Sequence, residues 1–171
     1  KYKEYEMMIV GDHGMEEVDH HHDVLSILEK LFKDHNLNLN KEIEFFIEST
    51  ILRIFIKNKK NFHKIKNILI NNNFFNSYGK FISSNDIGDD LNILNKYGDI
   101  IWWIKRKHVI SPSYFTKNKS SYKGMHGYYE ADTSKGLALY IKSSSKFYEI
   151  IKNSSLNELF KHFKSYIDSN G

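Results

Sequence analysis

The chain contains no cysteine, a single proline (Pro112) and nine glycines in 171 residues. Without thiols, disulfides, zinc ribbons, iron–sulfur ligation and a cysteine nucleophile are all excluded, so any bound metal must rest on His, Asp or Glu. Long apolar runs of the kind a bilayer helix needs are missing too, and the Lys-rich start has no apolar h-region of a signal peptide, so the chain reads as soluble. Concentrated positive charge is likewise lacking. The net charge is only +4 and the pI near 9.0, and the densest basic run, Lys57 to Lys66, is broken by Phe62 and Ile65 at helical spacing. That pattern describes an amphipathic helix with a solvated face and argues against a nucleic-acid polymer as partner.

What remains is enough to fold. With 40% hydrophobic and 15% aromatic residues, the chain can bury a core, and its length suits one folding unit better than two. Tyr5 to Val10 reads as a short buried strand running into Gly11-Asp12-His13-Gly14. From Asp23 to Phe32, the residues Val24, Leu25, Ile27, Leu28, Leu31 and Phe32 share one helical face. Glu42 to Glu48 and Ile51 to Lys57 read as two strands meeting at Ser49-Thr50, and Asn61 to Ile70 as a helix ending in the Asn71-Asn72-Asn73 loop. Lys80 to Ser83 is a short strand, and Ile87 to Leu94 one or two helical turns. The near-continuous apolar run Asp99 to Ile104, just after Gly98, fits a strand buried on both faces near a sheet centre. Pro112 to Gly127 is a long surface loop, Leu137 to Ile141 a strand, and Leu156, Leu159, Phe160, Phe163 and Ile167 mark a closing helix. Alternating strands and helices predict an α/β fold, a layered mixed sheet with helices on both faces.

Two motifs carry chemistry. In Gly11-Asp12-His13-Gly14-Met15, a strand ends in a carboxylate and an imidazole, both suitable zinc ligands, between glycines that allow a sharp turn. Open α/β sheets place their sites at such strand ends, although a polar turn with an Asp cap explains the same spacing. In Lys123-Gly124-Met125-His126-Gly127-Tyr128, a histidine stands between glycines where it can reach a metal, or simply be an exposed loop side chain.

An Asp-His-Gly-Met strand end, a later Gly-Asp-Ile strand and then a Gly-x-His-Gly-Tyr loop, in that order, resembles the type I phosphodiesterase and nucleotide pyrophosphatase family of the alkaline-phosphatase superfamily. The resemblance covers most of the chain. It implies that residues 1–171 form the C-terminal portion of an alkaline-phosphatase-like catalytic domain, with an inserted subregion at roughly 40–98 as one option. It further implies two divalent metal ions, zinc by analogy, with Asp12 and His13 on the nucleophile-side ion and His126 on the second. In such enzymes a phosphoryl-enzyme intermediate forms and is hydrolysed, and two cations about 4 Å apart stabilise the attacking and leaving oxygens. Tyr128 and Tyr129, beside His126, are then candidates to contact the phosphodiester or nucleotide substrate.

The family's nucleophile, its first-strand Asp and its Asp-x-x-x-His pair precede Asp-His-Gly-Met and are not in this chain. The resemblance therefore implies a complementary N-terminal chain as partner, and an isolated chain that exposes apolar surface and is sparingly soluble or oligomeric. After His-Gly-Tyr, where the family often has an acid, stand Tyr129 and Glu130. Local residues do not fill the gap: His20, His21 and His22 point in different directions and read as a solvated loop with adventitious metal affinity. His35, His63, His108 and His162 read as surface or packing residues, and Trp102 and Trp103 as core on opposite faces of one strand. Two other readings stand beside the hydrolase: a phosphomonoesterase or phosphotransferase of the same superfamily, and a noncatalytic α/β binding subunit whose metal site is structural or vestigial.

Overall fold

The computed structural model of the chain describes residues 6–82, 96–116, 122–129, 136–142 and 147–154, with helical positions 158, 160, 161, 163–165 and 168. In chain order the elements are β1 (Glu6–Gly11), β2 (Glu16–Glu17), β3 (His20–His22), α1 (Val24–Asp34), α2 (Leu39–Glu42), β4 (Ile43–Ile47), β5 (Ile51–Ile56), α3 (Phe62–Ile70) and α4 (Asn73–Tyr78). There follow β6 (Gly79–Phe81), β7 (Ile100–Ile104), β8 (His108–Ile110), β9 (Gly124–Met125), β10 (Gly136–Lys142) and β11 (Phe147–Ser154). The expected turns at Ile87 to Leu94, and Leu156, Leu159 and Ile167 of the expected closing helix, lie outside the described residues. Where length suggested one folding unit, contacts gather into two: Lys1–Glu16 with Glu130–Gly171, and Glu17–Tyr129.

In the first unit β10 is the central strand of an antiparallel sheet ordered β1-β10-β11. Met7 faces Ile141, Ile9 faces Leu139 and Gly11 faces Leu137 across the first ladder, while Tyr140 pairs with Glu149 across the second. Among the described residues, the strand expected to be buried is instead an edge. Met7, Ile9 and Val10 are 41%, 51% and 50% exposed, because β10 covers only one side of β1. Phe160 and Phe163, which the periodicity placed on a packing face, are helical but exposed.

The second unit is built on a four-stranded antiparallel sheet ordered β4-β5-β7-β6. Two β-branched runs form its hairpin, with Ile43 opposite Ile56 and Ile47 opposite Leu52; Glu48 N–H donates to the Ile51 carbonyl at 2.8 Å to close the Ser49-Thr50 turn. Strand β7 lies inside the sheet, as its unbroken apolar sequence requires, with Ile100, Ile101, Trp102 and Ile104 buried. At its start Gly98 adopts φ 141, open to glycine alone among ordinary residues. Asp99 then accepts from Ile56 N–H at 2.6 Å and from the Lys59 ammonium, which fastens β7 to the end of β5.

Trp102 is the largest fully buried side chain. Its indole N–H donates to the Phe75 carbonyl at 2.9 Å, and its ring meets Phe75 edge-on at 5.1 Å. Helix α4, which supplies Phe75, occupies what read as the far end of an Asn loop: Asn72 caps it by accepting from Phe74 N–H, so two of the three asparagines punctuate helices. Gly79 opens β6 where a Cβ would strike the Trp102 ring and the Trp103 carbonyl. Helix α1 follows its expected stripe, burying Val24, Leu28, Leu31 and Phe32. Asp23 caps it by accepting from Ser26 N–H at 3.0 Å, and Asn36 in the left-handed region, φ 54, ends it.

Two substitutions test this packing by chemical denaturation. Gly79→Ala should destabilise the chain by about 2 kcal/mol or more, since overpacking here meets backbone and a caged ring. Ser111→Ala should cost nothing or add up to about 1 kcal/mol, because the buried Ser111 hydroxyl has no hydrogen-bond partner among the described residues.

Candidate functional site

Asp12 and His13 follow directly on β1, whose last ladder pair is Gly11 with Leu137. Among the described residues the positive-φ glycines are Gly98 and Gly127, and Asp12 and His13 are ordered by local hydrogen bonds. His13 N–H donates to Asp12 Oδ1 at 3.1 Å, and the His13 Nδ1–H donates to the Gly14 carbonyl at 3.1 Å. Because a carbonyl can only accept, Nδ1 carries the proton and the lone pair of the neutral ring lies on Nε2. That Nε2 stands 3.5 Å from Asp12 Oδ2.

This pair fits a divalent cation. Two donors on one tetrahedral zinc, each about 2.0–2.1 Å from it, are separated by about 3.4 Å, close to the separation here. A ligand histidine also tends to donate its other ring N–H to a backbone carbonyl, as His13 does to Gly14. Asp12 is largely exposed and His13 one-third exposed at the side chain, so solvent reaches the pair. Among the described residues, no group of three or more His, Asp or Glu side chains is gathered to hold a metal ion.

His126 belongs to the second unit. It follows β9 directly, exposed, in a segment pinned by Gly127. The Gly127 carbonyl accepts from the Trp103 indole N–H at 2.7 Å and from the Thr50 hydroxyl at 3.1 Å, and Gly127 itself adopts φ 81. Thus the strand that buries Trp102 on one face uses Trp103 on the other to hold the residue beside His126. Tyr128 is buried and its hydroxyl donates to the His108 carbonyl at 3.0 Å. Tyr129 is half-buried, 5.6 Å from the Trp103 ring, with the Lys80 ammonium 4.7 Å above its face.

The histidine run departs from the reading as a loop. His20 to His22 form β3, which pairs in parallel with β8 so that His20 faces His108 and His22 faces Ile110. Period-two geometry therefore sends His20 and His22 to the same side, where His108 joins them. His22 Nε2 lies 2.7 Å from His108 Nδ1. Burial first, then the charges of His22, Lys105 and His20, push His108 down to about 4, against a weaker opposing pull from Asp19. Burial, followed by His20, Lys105 and His21, lowers His22 as well. A run of histidines carries no signal for this association, because the partner lies 86 residues away.

No family model matches the sequence, and no curated protein matches it. Among solved structures, murine ectonucleotide pyrophosphatase/phosphodiesterase 5 superposes with a TM-score of 0.50 at 15% identity, over 79% of this chain and 33% of that one. The fold is α/β and alkaline-phosphatase-like. At that identity the likeness speaks to architecture, and the chain spans about a third of the length of the structure it matches. Within this alkaline-phosphatase-like framework, no helix of the described residues is long and apolar enough to cross a membrane.

Tyr128→Phe should lower stability by about 1–2 kcal/mol, since it orphans the buried His108 carbonyl, and thermal or urea unfolding would read it. Stability should also depend on pH through His108. Its folded value of about 4 lies below the ordinary 6.5, so the unfolded chain takes up the proton first. The contribution is then full above about pH 6.5 and lost as pH falls toward about 4. Urea midpoints across that window should drop more for the native chain than for His108→Gln.

Proposed function

We propose that this chain is one part of a divalent-metal hydrolase of phosphodiester or nucleotide pyrophosphate bonds, whose nucleophile and remaining ligands come from outside these 171 residues. The observation that carries the reading is the Asp12–His13 pair, with a carboxylate oxygen and an imidazole lone pair 3.5 Å apart and the ring tautomer set by Gly14. The likeness to a nucleotide pyrophosphatase/phosphodiesterase supports it, as does the order of the Asp-His-Gly-Met and His-Gly-Tyr motifs along the chain.

In this reading Asp12 and His13 hold one zinc-like ion and His126 contributes to a second. When bound, such ions neutralise developing charge on phosphoryl oxygens. The chain's own contribution is positional. His13 is kept in its ligand tautomer by the Gly14 carbonyl, and the exposure of Asp12 leaves the carboxylate open to an incoming phosphate. His126 is steadied through Gly127 by Trp103 and Thr50. Tyr129 offers a half-buried ring beside it for contact with substrate.

Plasma mass spectrometry of the chain, produced together with the sequence that supplies the nucleophile, tests the ligands. About two zinc-like ions are expected, with one lost in Asp12→Ala or His13→Ala and the other weakened in His126→Ala. The assembly should hydrolyse a chromogenic phosphodiester faster than a monoester; the reverse preference would indicate a phosphomonoesterase or phosphotransferase of the same superfamily. A second reading, a noncatalytic α/β binding subunit, is favoured by the absence of any group of three donors among the described residues. Metal content and activity that stay unchanged in Asp12→Ala would establish it.

A further inference from the structure

The second unit holds an imidazole pair that the hydrolase reading leaves unused. The His22 and His108 ring centroids are 5.0 Å apart with planes inclined by only 18°, yet their facing nitrogens are 2.7 Å apart. Rings so far apart at their centres and so close at their edges meet edge to edge, nearly coplanar, with both nitrogens aimed along one line. Such a line holds a single proton, shared as N–H···N. A second proton would set two N–H groups against each other, so this contact tolerates a change of tautomer and does not tolerate double protonation.

The surroundings make that second proton costly. On β3, His20 stacks on the His108 ring at 4.6 Å and His21 adds to the local positive field when charged. From α4, Phe74 and Tyr78 press on His22 at 5.2 and 4.7 Å, and Tyr78 lies 5.3 Å from His108. Between β7 and β8, Lys105 sits 4.8 Å over Tyr78 and raises the positive potential at both imidazoles. The carboxylate that opposes it, Asp19, is itself bridged to Lys107 at 3.3 Å.

We propose that the His22–His108 pair is a one-proton latch: its shared proton holds β8 against β3, and a second proton opens it and loosens the segment that carries His126. The coupling runs through named bonds. Both sides of the pair are tied to the same turn, since Asp19 N–H and His20 N–H donate to the Lys107 carbonyl at 2.8 and 3.1 Å. From His108 its carbonyl receives the Tyr128 hydroxyl, and next to Tyr128 the Gly127 carbonyl receives the Trp103 indole. A shift of β8 moves Tyr128, and with it the carbonyl beside His126. The latch stands independently of the phosphodiester reading.

The two tryptophans make the test internal to the chain. Trp103 reports on Gly127, whereas Trp102 is bonded to Phe75 on the opposite sheet face and serves as control. Nitrogen-resolved NMR of both indoles and of the histidine rings, from pH 7.5 to 3.5, is the measurement. The expected result is a shift or broadening of the Trp103 indole with a midpoint near pH 4, coincident with the second protonation of the imidazole pair and with Trp102 unmoved. In His22→Gln, whose amide can donate to His108 Nδ1 but cannot titrate, that coincident transition should be gone. The proposal is overturned by a Trp103 signal indifferent to protonation of the pair, by two imidazoles that titrate independently near 6.5, or by an identical Trp103 transition in His22→Gln. Simultaneous loss of Trp102 and Trp103 also overturns it, because the pair would then serve only global stability.

Discussion

The burial of Trp102 on the interior strand β7 is the constraint from which most of the second unit follows. An indole of that size needs a surface without side chains against it, which Gly79 provides on β6, and a partner for its N–H, which Phe75 provides through its carbonyl. Those two requirements fix where α4 ends and β6 begins, one residue apart. The alternation of a strand then dictates that Trp103 faces the other way, and the bond from Trp103 to Gly127 is the consequence. A packing decision on one face of the sheet thereby reaches the His126 segment on the other.

Much of this was legible in the sequence, and for physical reasons. Helical spacing identified α1 and α3, because a buried face repeats with the period of the backbone, while richness in Ile and Phe marked β4 and β5 and an unbroken apolar run marked β7. Strand β11 went unread because its sequence, Phe147-Tyr-Glu-Ile-Ile-Lys-Asn-Ser, interrupts its alternation at Ile150-Ile151. Helix α4 was hidden by asparagines that signal a loop as readily as a cap. The exposure of β1 could not be read at all: apolar sequence says that a strand suits a covered position, and only pairing says whether the cover is present.

The site divides in the same way. Adjacent residues such as Asp12 and His13 announce themselves, since their relation is local and the Gly14 carbonyl that sets the tautomer is one residue further on. Relations made by pairing distant strands do not. His22 and His108 looked like a solvated run and a packing residue until β3 and β8 aligned in parallel. The aromatic residues show both cases: Tyr128 is drawn inward by the carbonyl of His108, while Tyr129, one position on, keeps part of its ring outward against Trp103 and Lys80.

Among the described residues β1 is paired on one side only, and this has a directional consequence. Its far edge, away from β10, presents a ladder that runs from Glu6 to Gly11 and stops directly before Asp12 and His13. A strand joining that edge in parallel would finish at the same end, so its carboxyl-terminal residues would arrive level with the carboxylate and the imidazole. An antiparallel strand would bring its amino-terminal end there instead. The polarity of a strand added there would therefore decide which of its ends lies beside Asp12 and His13.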